Sequence, residues 1–90
     1  MRAPITLTKA AERDLRRIGL GPDAQRIGAA LRSLETNAAN LDVVSVSGHP
    51  GWLRFRVGDW RILYRLHAGS RVVARIVNRR DLEAAVRSLE

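Results

Sequence analysis

Eight arginines lie between residues 51 and 80, and Asp59 is the only acidic residue in that stretch. The chain carries a net charge of +7, and the excess falls within these thirty residues. A guanidinium is a planar, permanent cation that binds phosphate with two parallel hydrogen bonds and stabilises developing negative charge on a phosphorane. The clustering therefore predicts an anionic partner, either a phosphate backbone or an acidic protein.

Trp52 stands among these arginines and offers an indole on which an unpaired base could stack. The alternative is a solvated sheet face on which arginine stems cover Trp52 and Leu63. The first interpretation makes these residues candidates for RNA binding: Trp52, Arg56, Arg65, Arg75 and Arg79.

Two histidines are candidates for proton transfer. His49 lies on a loop that leads into the basic segment, so it is a possible general base, although an ordinary loop residue is the simpler interpretation. His67 lies at the far end of its predicted strand from the Gly58 turn, which argues against a catalytic role. Two separated histidines and no cysteine give no metal-ligand spacing, so the sequence predicts neither a metal nor a cofactor.

A β-hairpin is expected to position the arginines. Residues 52–57 alternate strictly in polarity, and Gly58-Asp59 is typical of a type II′ turn. The predicted register pairs Val57 with Trp60 and Arg56 with Arg61. The core side then holds Leu53, Phe55, Val57, Trp60, Ile62 and Tyr64, and the opposite side holds Trp52, Arg54, Arg56, Arg61, Leu63 and Arg65.

A third strand over 71–77 is predicted after a turn at Ala68-Gly69-Ser70. It pairs Arg75 with Leu63 and sends three residues to the core side: Val72, Ala74 and Ile76. Asp81 is then expected to cap a final helix whose apolar side holds Leu82, Ala85, Val86 and Leu89.

The first half of the chain predicts a short strand at Ile5 and Leu7, a helix over about 9–19 capped by Thr8, and a second helix from Pro22 to about residue 37. Ninety residues leave room for one domain, 1–90. The predicted fold class is α+β, with an N-terminal helical hairpin packed on a small antiparallel β-sheet and a short C-terminal helix. No apolar run approaches a membrane span, and cysteine is absent, so the sequence predicts a cytoplasmic protein with no membrane partner.

The motif that runs from Arg54-x-Arg56-Val57 through Gly58-Asp59-Trp60-Arg61-Ile62-Leu63-Tyr64 to Asn78-Arg79-Arg80-Asp81 resembles the RelE/ParE toxin superfamily, and the helices before it match as well. The resemblance implies the toxin of a type II toxin-antitoxin system, neutralised by an acidic cognate antitoxin. RelE-like members cleave mRNA on the ribosome without a metal, and this branch is favoured. ParE-like members share the fold and inhibit DNA gyrase without chemistry.

For a RelE-like toxin, the resemblance places phosphate-stabilising arginines at Arg61 and Arg80, and basic residues that orient mRNA or assist proton transfer at Arg54 and Arg56. The sequence departs from the family after Arg80, because active members carry a tyrosine there and residues 81–90 contain none. Two alternatives therefore stay open beside the ribonuclease: a gyrase inhibitor, and a weakly active or degenerate RelE homologue.

Overall fold

The computed structural model describes residues 4–89 and has an α+β fold, as predicted. The elements in chain order are β1 (Ile5–Leu7), α1 (Lys9–Ile18), α2 (Pro22–Glu35), β2 (Val43–Ser45), β3 (Trp52–Val57), β4 (Trp60–His67), β5 (Ser70–Asn78), a single 3-10 turn (Arg79–Asp81) and α3 (Leu82–Arg87). The five strands form one sheet in the order β1-β5-β4-β3-β2.

Two features of the sheet differ from the prediction. β1 pairs with β5 in parallel, so the sheet is not wholly antiparallel. β2 was not predicted, because its residues Val43-Val44-Ser45 do not alternate between apolar and polar. It pairs antiparallel with β3 and forms the edge of the sheet beside the arginines. The two helices thus follow a strand, and α1 packs chiefly against β5.

α1 closes the part of the β5 edge that β1 does not reach. Thr8 caps the helix as predicted, accepting from Ala11 N–H, and donates its hydroxyl to the Ala74 carbonyl at 2.9 Å. Asp14, only 4% exposed, accepts the Ile76 N–H at 2.8 Å and pairs with Arg75. The helix therefore satisfies strand groups that would otherwise lack partners.

The β3–β4 hairpin has the predicted register over all six pairs, from Trp52 with Arg65 to Val57 with Trp60. Gly58 has a φ of +59°, and Asp59 does not have a positive φ, which fits a type II′ turn. This turn sets Arg56 directly opposite Arg61.

The β4–β5 hairpin corrects the predicted third strand. Its turn is Ala68-Gly69, one residue shorter than expected, with φ of +51° and +79° as a type I′ turn requires. A bulge at Ala74 adds the residue back, so Arg75 still opposes Leu63. Between turn and bulge the predicted faces are reversed: Val73, not Val72, is buried in the core below the helices, and Ala74 packs on the opposite side.

Each face of the sheet has its own core. The larger one lies under α1 and α2 and includes Ile27, Leu34, Phe55 and Ile62. The second lies on the opposite face under α3, where Ala85, Val46, Trp52, Leu63 and Val77 are buried together. The predicted C-terminal helix is present, but Asp81 makes no side-chain cap; Asn78 caps the preceding turn by accepting from Arg80 N–H. The second face is therefore open only where α3 does not cover it.

Candidate nucleic-acid interface

Four arginines line a cleft of 260 Å³ beside the β3–β4 turn: Arg54, Arg56, Arg61 and Arg79. Asp42, Val44 and Leu82 complete its wall, and this group of seven residues is called the arginine cleft. The hairpin register supplies the first three arginines. Arg79 comes from the end of β5 and is held there by its backbone N–H, which donates to the Asp59 carbonyl at 2.7 Å.

Arg61 is fixed in this cleft before any ligand binds. One guanidinium nitrogen donates to the carbonyls of Gly58 and Trp60, each at 2.9 Å. Burial lowers the pKa of Arg61, and the positive charges of Arg56, Arg54 and Arg79 lower it further. An arginine remains protonated at any physiological pH, so Arg61 stays a cation, and the part of the lowering that comes from the three neighbouring arginines reflects repulsion that a bound anion would relieve.

Two carboxylates lie close to these arginines. Asp42 Oδ2 is 3.9 Å from Arg56 Nη1, and Asp59 Oδ1 is 3.7 Å from Arg79 Nε. All four side chains are more than half exposed, so these pairs contribute little to stability. Only Asp42 lines the arginine cleft, and the sequence interpretation missed it because β2, which it precedes, was not predicted. Its backbone carbonyl accepts from Arg56 N–H at 2.9 Å, which anchors it there.

Arg80 does not join Arg61, contrary to the expectation that these two arginines act together. It lines a second cavity of 410 Å³ with Trp60, Asn78, Arg17 and the Asp14–Arg75 pair, here called the tryptophan cleft. The arginine from the end of β5 that lies beside Arg61 is Arg79.

Arg75, predicted to bind RNA, lies in a structural ion pair. Its Nε and one Nη donate to the Asp14 carboxylate at 2.9 and 3.2 Å. That hydrogen bond raises the pKa of Arg75. The guanidinium is thus already occupied by a buried carboxylate and lies apart from the arginine cleft.

Trp52 is not the open stacking plane that was expected. It is 8% exposed in the second core, and the guanidinium of Arg65 lies over its ring at 5.2 Å from the centroid. α3 covers this part of the face, a long-range contact that the strand pattern does not reveal. The alternative interpretation, in which arginine stems cover Trp52 and Leu63, describes this region better.

His49 lies at the other end of β3 from the arginine cleft. Backbone bonds among Val46, His49 and Trp52 fold the loop tightly against the start of the strand. Trp52 and Arg56 are four residues apart, about 13 Å in an extended strand, and His49 does not line the cleft. Tyr64, expected on the core side, is buried there, and this burial raises its pKa.

Within residues 4–89, no group of three or more His, Cys, Asp or Glu side chains is placed to hold a metal ion. No helix in the described part of the chain is long and apolar enough to cross a membrane.

The sequence of the chain matches a known protein family. The model of the ParE toxin family of type II toxin-antitoxin systems, parDE, matches residues 5–83. No curated protein is similar enough in sequence to count as a relative.

Solved structures share the fold. The E. coli DinJ–YafQ toxin-antitoxin complex aligns with a TM-score of 0.73 at 15% identity, covering 91% of this chain and 98% of that one. The RelB–RelE antitoxin-toxin complex from Methanococcus jannaschii gives 0.72 at 18% identity, covering 89% and 96%. The YoeB dimer from Staphylococcus aureus gives 0.66 at 20% identity, covering 83% and 94%. At these identities the likeness establishes the fold.

Proposed function

The chain belongs to the ParE toxin family of type II toxin-antitoxin systems, and from its arginine cleft we propose that it cleaves mRNA on the ribosome, in the cytoplasm, as a metal-independent endoribonuclease. The observation that carries this proposal is the arginine cleft, which concentrates four guanidinium groups and one carboxylate in 260 Å³. Phosphodiester cleavage needs positive charge at the phosphate and a proton acceptor beside it. The cleft contains groups of both kinds.

The proposed reaction is attack of a ribose 2′-oxygen on the adjacent phosphorus. The 2′-O–P bond forms, the P–O5′ bond breaks, and the products are a 2′,3′-cyclic phosphate and a 5′-hydroxyl. Arg61 is the best placed to stabilise the phosphorane, since its backbone hydrogen bonds fix one side of its guanidinium. Arg54, Arg56 and Arg79 add charge and hold the flanking backbone.

Proton transfer falls to the remaining polar groups of the cleft. Asp42 is the one carboxylate among the described lining residues, so it is the candidate to accept the 2′-hydroxyl proton. A guanidinium of Arg54 or Arg56, or a ribosomal group, then supplies the proton that the leaving 5′-oxygen takes. With no neutral imidazole or phenol at hand, we expect this step to be slow.

The same charge distribution supports a cognate acidic antitoxin as partner. A net charge of +7 on 90 residues attracts a polyanion over long range. An acidic segment that pairs with the four cleft arginines would occupy the site that we assign to RNA.

Inhibition of DNA gyrase without chemistry is the second candidate. Two observations favour it: the family model that matches the chain is that of the ParE toxins, and among the described residues neither a histidine nor a tyrosine lines the arginine cleft. A toxin that acts only by binding needs no general acid or base.

Two assays run in parallel distinguish the candidates: primer extension on ribosome-bound mRNA, and supercoiling by gyrase. We expect mRNA cleavage that Arg61→Ala abolishes and that Arg13→Ala preserves, because Arg13 is exposed on α1 and lies outside the arginine cleft. Cleavage should not require divalent metal beyond that needed by the ribosome. Intact mRNA together with blocked supercoiling would replace the ribonuclease with the gyrase inhibitor.

A further inference from the structure

The end of the β3–β4 hairpin separates two clefts, and consecutive residues contribute to both. Trp60 lines the tryptophan cleft and Arg61 the arginine cleft, and likewise Arg80 and Arg79. For Trp60 and Arg61 this follows from strand alternation, which sends neighbouring side chains to opposite faces, whereas Arg79 and Arg80 lie on the 3-10 turn that follows β5. A nucleic-acid strand bound in the arginine cleft therefore passes close to a second site of quite different composition.

The tryptophan cleft combines a ring with a polar edge. Trp60 and Asn78 are directly paired across β4 and β5 and therefore lie side by side. The Asn78 Oδ1 atom accepts from the backbone N–H of Arg80 at 3.2 Å, which leaves the side-chain amide to donate. An indole surface beside an amide donor matches a nucleobase, whose face stacks and whose edge accepts hydrogen bonds.

The charges of this cleft also favour a nucleotide. Asp14 is neutralised by Arg75 and by the Ile76 N–H, so the inner wall presents no free carboxylate at that point. Two exposed arginines, Arg17 and Arg80, also line the cleft, and Asp81 is the one exposed carboxylate among its described lining residues, so positive charge predominates there. A volume of 410 Å³ lies within the range of about 300–1,000 Å³ typical of small-ligand sites.

We infer that the tryptophan cleft binds one nucleotide of the RNA strand, with the base stacked on Trp60, its edge bonded to the Asn78 amide and a phosphate at Arg80. This inference rests on the proposed function, since it assumes that the strand in the arginine cleft is RNA. It assigns base preference to a surface other than the cleavage site and transfers the expected stacking role from Trp52 to Trp60.

Fluorescence offers a direct test, because the chain has two tryptophans and Trp52→Phe leaves Trp60 as the single reporter. The probe is a 2′-O-methyl triadenylate, which cannot be cleaved, and the matched control is its abasic analogue. We expect saturable quenching by the triadenylate and at least a tenfold weaker response to the abasic chain. Equal responses would overturn the base site and leave an anion site.

Substitution of Trp60 provides a second measurement that does not depend on the folding of Trp52→Phe. Anisotropy of a labelled triadenylate should show about 5- to 150-fold weaker binding to Trp60→Leu, and binding to Trp60→Phe within about threefold of the native protein. Melting curves of both variants check that each is folded. Equal affinities of the native protein and folded Trp60→Leu would overturn the inference.

Different results would refute the base site in the tryptophan cleft and the ribonuclease activity. If Trp60→Leu binds RNA like the native protein while mRNA is still cut, only the base site is refuted. If Trp60 is quenched by triadenylate and no mRNA is cut on the ribosome, the ribonuclease is refuted and the base site stands. If a polyglutamate peptide quenches Trp60 and the triadenylate does not, the cleft is a peptide site and the inference fails.

Discussion

Replacement of Asp42 by asparagine separates catalysis from binding, because the two roles predict opposite effects of the same change. Asp42 Oδ2 lies 3.9 Å from Arg56 Nη1, and the two side chains are 61% and 63% exposed. Asparagine keeps the size of the side chain and removes its charge. The arginine cleft then loses its one lining carboxylate and keeps its four arginines.

The expected change in affinity follows from Coulomb's law. Two unit charges about 4 Å apart interact by about 1 kcal/mol in water, and an RNA phosphate bound at Arg56 would lie at a similar distance from Asp42. Asp42→Asn should therefore strengthen RNA binding by up to about fivefold at low ionic strength. The gain should shrink as salt is raised, since both groups are exposed.

The expected change in cleavage has the opposite sign. A positioned general base contributes roughly 10²–10⁴-fold to rate, so a protein that binds RNA more tightly should cut it at least about a hundred times more slowly. The loss should appear in the single-turnover rate on ribosome-bound mRNA at saturating toxin, where a change in affinity no longer contributes.

Asp59→Asn is the matched control. Asp59 also lies near an arginine, at 3.7 Å from Arg79, but it does not line the cleft. It should show a comparable gain in affinity with an unchanged cleavage rate. Cleavage by Asp42→Asn at the native rate would remove Asp42 from the mechanism, and weaker RNA binding would refute the electrostatic description of the cleft.

Three further changes test other parts of the structure. Arg61→Ala should reduce RNA binding and flatten its dependence on salt concentration by about one counterion, with Arg13→Ala unchanged in a filter-binding titration over several salt concentrations. Burial raises the pKa of Tyr64, so its phenol stays neutral in the folded protein at a pH near 10, where the unfolded chain ionises. The free energy of unfolding should therefore fall as the pH rises through 10. In urea titrations, Tyr64→Phe should remove the contribution of Tyr64 to this pH dependence. Val73→Ala should cost about 2 kcal/mol of unfolding free energy, whereas Val72→Ala should cost under about 1 kcal/mol, and equal costs would contradict the bulged register.

Local sequence patterns predicted the parts of the fold that short-range physics determines. The β3–β4 register followed from the Gly58-Asp59 turn and strict alternation, and all six pairs agree. The third strand, β5, was predicted less accurately, because its turn and its bulge are not evident from local patterns. An unexpectedly short turn and the bulge at Ala74 compensate each other beyond Arg75 but reverse the faces before it. A bulge leaves no distinctive residue in the sequence when its extra member is alanine.

The candidate site was predicted in part for the same reason. Arg54, Arg56 and Arg61 come together because one hairpin carries them. The burial of Trp52 and the pairing of Arg75 with Asp14 depend on helices from other parts of the chain, and the position of Arg80 depends on a 3-10 turn that strand alternation does not predict. Strand alternation assigns a face, but it does not show which part of that face a helix then covers.

The cost of opposing Arg56 and Arg61 links the fold to the function. The opposition costs about 0.2–1 kcal/mol, a real fraction of the stability of a 90-residue domain, and Arg79 brings a further charge into the same cleft. Because the repulsion exists only in the free protein, any bound polyanion recovers this free energy. RNA and an acidic antitoxin would each relieve the repulsion among the cleft arginines by binding to them, so the two would compete for the arginine cleft. Neutralisation by an antitoxin would then require that its carboxylates reach the arginine cleft, and it would weaken with added salt in parallel with RNA binding.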